Sequence, residues 1–312
     1  MNLVRTVLGD IPATELGIVD AHDHLFLVSA LLPGQELDDT EAAQAEARDF
    51  GERGGGTIVQ WTPYGLGRKA ERLAEVSRTS GVHIVAATGL HQARHYGAEF
   101  DLARLSPAAG LAPAALFAAE LTEGLRRSDG DEVLPARAGL IKVAGGFHRL
   151  DPHARTVMTA AAEAHHATGA PIGVHLEHGS AAAEVLALLC DDLSVPPGRV
   201  ILGHLNRLPD LRLHREAAER GAFLCFDGPS EANHATDWSL LDALAALAEA
   251  GHTHQLLLGG DTTTAGARAA SGGGPGIPYL LHTLRPRLRR ELGETATNQL
   301  FVANPARAFA WA

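Results

Sequence analysis

Residues 17–26, GIVDAHDHLF, hold an apolar pair, Ile18 and Val19, then Asp20, then the doublet His22-x-His24. An extended strand sends alternate side chains to the same face, which predicts His22 and His24 together with Asp23 turned to the other side. Two neutral imidazoles on one rigid strand end form a ready metal chelate. In a chain with 17 histidines such a doublet decides little by itself. Its weight comes from what stands at the ends of the later apolar runs.

Outward from the doublet, Asp39 and Thr40 followed by EAAQAEARDFGERG predict a capped, Ala-rich helix that stops at glycines 54–56. TIVQW (57–61) predicts a strand, 62–67 a Pro-Gly turn, 68–80 a helix and HIVAAT (83–88) the next strand. Residues 91–111 read as a long loop, with helix resuming over 113–127. LIKVA (140–144) is the fourth strand, followed by a helix over 154–168. The beat continues with strands at 172–175, 200–204, 223–226 and 256–260, helices at 181–190, 212–220 and 238–250, and a helical pattern over 280–312. Eight short apolar strands alternating with helices predict parallel pairing and an α/β fold, a (β/α)8 barrel. An open doubly wound sheet would want a Gly-rich phosphate turn after the first strand, and that turn is missing. No linker divides the chain, so residues 1–312 are expected to form one domain.

Composition narrows the function classes. The 312 residues are 46% hydrophobic and 20% charged, as in ordinary globular proteins, and the formal net charge of −11 argues against a nucleic-acid or anionic-membrane partner. The first residues, MNLVRTVLGDIPATELG, lack the basic start and apolar run of a secretory signal, and no apolar run approaches membrane-spanning length. Cys190 and Cys225 are too few for a disulfide framework, so a reduced, cytoplasmic protein with a small-molecule substrate is the expectation.

Barrels of this class form their sites where strands run into the following loops. The strand ends carry His22 and His24 on the first, Lys142 on the fourth, His175 on the fifth, His204 on the sixth and Asp261 after the eighth. Each has a plain structural explanation: a satisfied core histidine for His204, a helix N-cap for Asp261, a rim lysine for Lys142. Jointly these do not account for six such groups at one end of the strands. Lys142, between Ile141 and Val143, would be a costly buried cation. Burial favours its neutral amine, which reacts with carbon dioxide to give a carbamate able to bridge two metal ions. The expected arrangement places His22, His24 and Asp261 on one divalent ion, His175 and His204 on the second, and carboxylated Lys142 between them. Two such ions share a hydroxide nucleophile, and Asp261 would accept its proton as the catalytic carboxylate.

These residues also carry a family resemblance. The segments TVLGDIPATELGIVDAHDHLF, TIVQWTPYGLGR, LAEVSRTSGVHIVAATGL, AGLIKVA, TGAPIGVHLEHG, GRVILGHLNRLPD, LCFDG and LLLGGDTTTA resemble the phosphotriesterase family of the amidohydrolase superfamily, nearly end to end. The resemblance implies a (β/α)8 barrel, a homodimer and a binuclear centre often holding zinc, and all six ligand positions are present. The family commonly has Glu where this chain has Asp23, Asp at the position of Gln60 and an aromatic residue at that of His91.

The resemblance leaves the substrate among lactones, amides and phosphotriesters, because all three present their electrophile to the same metal site. GLHQARHY, GHLNRLPD and GGGPG resemble the branch with sugar-lactone hydrolases, some acting on phosphorylated lactones. A negative substrate would want arginines, and Arg94, Arg207 and Arg268 stand in loops after strands three, six and eight. The small-residue loop TTTAGARAASGGGPG is less basic than that branch implies, which counts against a phosphorylated lactone. Candidate substrate contacts are His91, His95, Tyr96, Arg207 and Asp227, a polar set that ranks a lactone or carboxylic ester above an amide or a phosphotriester. A catalytically silent metal- or ligand-binding relative is the reading from a different class, and no lost ligand signals it.

Overall fold

The computed structural model describes residues 2–97, 111–128, 130, 132–271 and 273–311. Eight parallel strands form one sheet in chain order: β3 (Ile18–Asp23), β4 (Gly55–Gln60), β5 (His83–Gly89), β6 (Leu140–Ala144), β7 (Ile172–His175), β8 (Val200–Gly203), β9 (Phe223–Asp227) and β10 (Leu256–Gly259). Every neighbouring pair is parallel. The sheet curls until the last strand meets the first, where Asp261 N–H donates to the His22 carbonyl at 2.9 Å. This is the expected barrel.

Helices follow the strands and lie outside. Asp39 caps the helix Thr40–Glu52 by accepting N–H bonds from Glu41 and Ala42, as its sequence predicts. The helix expected over 68–80 begins later, at Ala70, because Lys69 turns left-handed with φ of 43°. The helix expected over 113–127 stops at Thr122, and the chain then bends into an isolated bridge between Arg126 and Val133. The helix Ala182–Leu186 widens into a π-type turn over Ala187–Asp192. Most of the long loop expected over 91–111 lies outside the described residues; Ala93–Tyr96 is a single 3-10 turn. Among the described residues no helix is long and apolar enough to cross a membrane. Both cysteines are free, Cys225 buried and Cys190 half-buried.

An antiparallel hairpin, β1 (Leu3–Thr6) and β2 (Gly9–Pro12), precedes the barrel. The chain's end returns to it, with Trp311 N–H bonded to the Leu3 carbonyl at 2.9 Å and Phe309 fully buried. Val4, Val19, Leu140, Ile201, Phe223 and Phe309 belong to one buried cluster, so hairpin and C-terminus complete the core inside the strands. The larger apolar layer, including Phe50, Phe117, Met158 and Leu244, fills the space between strands and helices.

Trp61 tops the inner cluster. Its indole N–H donates to the Ala21 carbonyl at 2.8 Å, and its ring stacks on His22 with centroids 3.9 Å apart. Room for it exists because Gly173 faces it: a Cβ there would lie 2.9 Å from the indole. Trp61 is fully buried and has nowhere to go. We expect Gly173→Ala to cost about 1–3 kcal/mol of stability, the usual penalty for overpacking a filled core, read by urea unfolding.

Candidate metal centre and active site

Register decides which polar groups meet. Lys142 pairs with Gly89 on one side and Gly173 on the other, Ala144 with His175, and His175 with Gly203. The strand ends therefore finish at similar heights, and their side chains line a cavity of about 400 Å³ at the C-terminal end of the barrel. His22, His24, Lys142, His175, His204 and Asp261 all line it. The doublet does not follow a plain alternation, for the β3–β4 register shifts between Asp20 and Asp23. His204 and Asp261, just past their strands, adopt left-handed backbone with φ of 64° and 55°. Non-glycine residues accept that conformation at a cost of about 1–3 kcal/mol and collect at functional sites.

The distances suit metal binding. His22 Nε2 lies 3.5 Å and His24 Nε2 3.6 Å from Asp261 Oδ1. These are long for hydrogen bonds, yet donors held around one tetrahedral ion at ~2.0–2.2 Å from it sit about 3.4 Å apart. Ligand atoms of His22, His204 and Asp261 all fall within 4.8 Å of one another. Asp261 Oδ1 is buried without a hydrogen-bond partner, which a cation would supply. His175 Nδ1 is 2.7 Å from His204 Nε2, so the fifth and sixth strands also bring their histidines together. The residues present fit a divalent metal centre.

Electrostatics point the same way. Burial opposes ionisation of Asp261, but His204 and the other nearby histidines outweigh it and hold the carboxyl down to about 2. Burial opposes a charge on His204 as well, and here Asp227 and Asp261 win, lifting its pKa above the ordinary histidine value. His24, mainly desolvated, falls to about 4. Burial brings the Lys142 amine to about 7, against the pull of Asp261 and Glu177. A lysine that is partly neutral near neutral pH meets the requirement for carbamate formation.

A second set of residues holds the first. Thr62 Oγ1 is 2.7 Å from His24 Nδ1, and Asp227 Oδ2 is 2.7 Å from His204 Nδ1. Glu177 Oε2 lies 3.1 Å from His175 Nε2 and accepts Gln92 Nε2 at 2.8 Å. Sequence reading passed over Glu177, Gln92 and Thr62, although Glu177 stands two residues beyond His175, where strand alternation points it the same way.

The expected substrate contacts divide. His91, His95 and Arg207 line the cavity. The His91 ring lies tilted between those of His95 and His175, with centroids 4.0 and 4.6 Å away. Tyr96 does not line it: its hydroxyl donates to the Tyr64 carbonyl at 3.0 Å and accepts the His91 N–H at 2.9 Å. Asp227 does not line it either. It is fully buried beneath the histidines, with His22 Nδ1 3.5 Å and the Arg207 Nε 3.4 Å away. The structure thus sets both residues behind the cavity wall, Tyr96 bonded to Tyr64 and His91, and Asp227 to His204.

Comparison with known proteins agrees with this picture. The model of the phosphotriesterase family matches residues 2–309. A phospho-furanose lactonase of Mycoplasmopsis agalactiae is 32% identical over 77% of this chain and 70% of its own length. An N-acetyltaurine hydrolase of Salmo salar is 25% identical over 97% of both chains. The crystal structure of a lactonase from Listeria monocytogenes superposes with a TM-score of 0.90 at 29% identity, covering 99% of each chain.

Asp227→Asn removes the charge that both His204 and Arg207 face. We expect divalent metal affinity to fall about 10–100-fold, the usual effect of losing an outer-shell partner, read by competition with a chromogenic chelator. The chain is a hydrolase of the phosphotriesterase family.

Proposed function

We propose that this chain hydrolyses lactones, with His22, His24 and Asp261 holding one divalent ion, His175 and His204 a second, and carboxylated Lys142 between them. Zinc is the expected metal from the donor set of imidazole nitrogens and carboxylate oxygens. When bound, such ions supply Lewis acidity toward a carbonyl and lower the pKa of water toward neutrality. The carbamate forms as the neutral Lys142 amine adds to carbon dioxide and releases one proton. Asp261, ionised at neutral pH, accepts the proton of the attacking water and passes it to the ring oxygen as the ester bond breaks. His91 and His95 form the cavity wall beside His175 and exclude bulk water from that side. The same reading takes 1–312 as one catalytic domain and the protein as a cytoplasmic homodimer.

The observation that carries the proposal is the meeting of six metal-binding groups in one cavity of about 400 Å³, in a chain whose relatives include lactonases. The histidines of the wall favour a lactone over a triester, whose three apolar arms would offer them no hydrogen bond. We expect zinc-loaded protein to hydrolyse a small lactone at least about tenfold faster in kcat/KM than a neutral aryl dialkyl phosphate, roughly 1.4 kcal/mol in transition-state binding. A triester as the best substrate in a screen of lactones, amides and triesters reverses the assignment. Lys142→Ala is expected to lose metal content and turnover together, with partial recovery from added short carboxylates. Full metal content and turnover in that variant would remove the carbamate from the scheme.

A further inference from the structure

A second cavity, of about 600 Å³, lies between the loops that follow β9 and β10 and shares Asp261 and Thr263 with the cavity of the metal ligands. A substrate held at Asp261 would place whatever extends from its ring into this space. We propose that this cavity takes an uncharged, hydroxyl-bearing substituent of the substrate and rejects a phosphate, so that the lactone hydrolysed is unphosphorylated. This deepens the lactonase reading and rests on it.

The charged groups of its wall are Glu231, Asp237 and Asp261, with His234 the one basic residue and no Lys or Arg among the described lining. Asp237 is engaged by Arg207 and the Ser230 N–H and Asp261 belongs to the ligand set, so Glu231 is the carboxylate left to accept hydrogen bonds, and the hydroxyls of Ser230, Thr263 and Thr264 can complete a network with a polyol. A phosphate dianion has only acceptors to offer and needs cations or N–H groups.

The candidate cations are already occupied. Arg207, which lines the cavity of the metal ligands, donates to Asp237 Oδ1 at 2.5 Å and to the Gly228 carbonyl at 3.1 Å, while its Nε faces Asp227 Oδ2 at 3.4 Å. Arg268 is buried, lines neither cavity, and donates through its two terminal nitrogens to the carbonyls of Leu25 and Asp39. Arg94 lies over the metal-ligand cavity, bonded to Gln92 at 2.6 Å and paired with Glu177 at 2.8 Å. Thus the three arginines singled out by the sequence have protein partners.

Four of the backbone N–H groups around the cavity are taken as well. Where the chain turns helical at 276–284 beside the cavity, the Ile277 N–H goes to the buried Glu46 carboxylate at 2.9 Å. The Tyr279 and Leu280 N–H groups go to the Gly276 and Ile277 carbonyls at 3.2 and 3.3 Å. On the facing loop, Ser230 N–H goes to Asp237 Oδ2 at 2.8 Å. The phospho-furanose lactonase among the relatives therefore shares the barrel without fixing the charge of this chain's substrate.

The test is a pair of probes, a pentono-1,4-lactone and its 5-phosphate, with zinc-loaded full-length protein. We expect kcat/KM for the unphosphorylated lactone to be larger by at least about tenfold. Glu231→Lys, with folding checked by thermal melting, should move the ratio toward the phosphate ester by at least about tenfold, mainly through KM. Glu231→Gln should move it the same way by less. A native protein that prefers the phosphate ester overturns the inference, as does a ratio indifferent to both substitutions. Hydrolysis of neither lactone, with turnover of an amide or triester, overturns the lactonase reading itself and is distinguished by that pattern.

Discussion

The seam between the last strand and the first is the constraint on which the site depends. Gly260 N–H donates to Asp20 Oδ1 at 3.2 Å and Asp261 N–H to the His22 carbonyl at 2.9 Å, which docks the end of β10 onto β3. The approach is so close that a Cβ at 259 would lie 2.4 Å from the His22 oxygen, and one at 260 would lie 2.2 Å from Asp23 Oδ2. Only paired glycines let the backbones pass at that distance. Half of the six candidate ligands, His22, His24 and Asp261, sit on the two sides of this seam. It joins residues 240 apart in sequence, so the site comes into being only when the whole barrel has closed.

Beneath the ligands lies a set of ionisable groups that would be untenable singly. Asp20 and Asp23 are both fully buried, and desolvation together with their mutual repulsion raises Asp20 well above the ordinary carboxyl value; Asp23, chiefly desolvated, rises to about 7. They stay tolerable because backbone N–H groups aim at them: His22 and Gly260 at Asp20, His24 and Thr262 at Asp23. Asp20, two positions before His22, and Asp23, between the two histidines, thus anchor the strand end and do not line the cavity.

The strands were legible because each is a short, mostly apolar run, and inward-facing groups in a parallel barrel are apolar until the mouth. IGVH ends in its polar residue and LIKVA carries one, Lys142, at its middle, and their limits, Leu140–Ala144 and Ile172–His175, match the expectation. The hairpin at 3–12 was not legible, since LVRT and GDIP are short and their burial depends on Phe309, some 300 positions away. The ligand candidates could be read because chemistry dictates their residue types. Asp227 and Arg207 could not be placed from sequence, because their roles hang on Asp237, His204 and each other, partners 20 to 30 positions off whose approach is set by tertiary packing.

That last group ties specificity to the metal site. Asp227 touches His204 on one side and Arg207 on the other, and Arg207 reaches on to Asp237, which in turn fixes the loop after β9 through Ser230. The chain of contacts runs from a candidate ligand through buried Asp227 and Arg207 to half-buried Asp237 in the wall of the outer cavity. A substitution at Asp237 made to reshape that wall would leave Arg207 with one partner fewer and a charge to satisfy. The guanidinium would then be drawn toward Asp227, in competition with His204 for the same oxygen. Loop changes that recruit Arg207 for an anionic substrate would therefore perturb the orientation of His204 at the same time. Replacing Glu231, which has no part in that chain, alters the wall's charge without this consequence, and the barrel offers that route to a different substrate without disturbing the ligands.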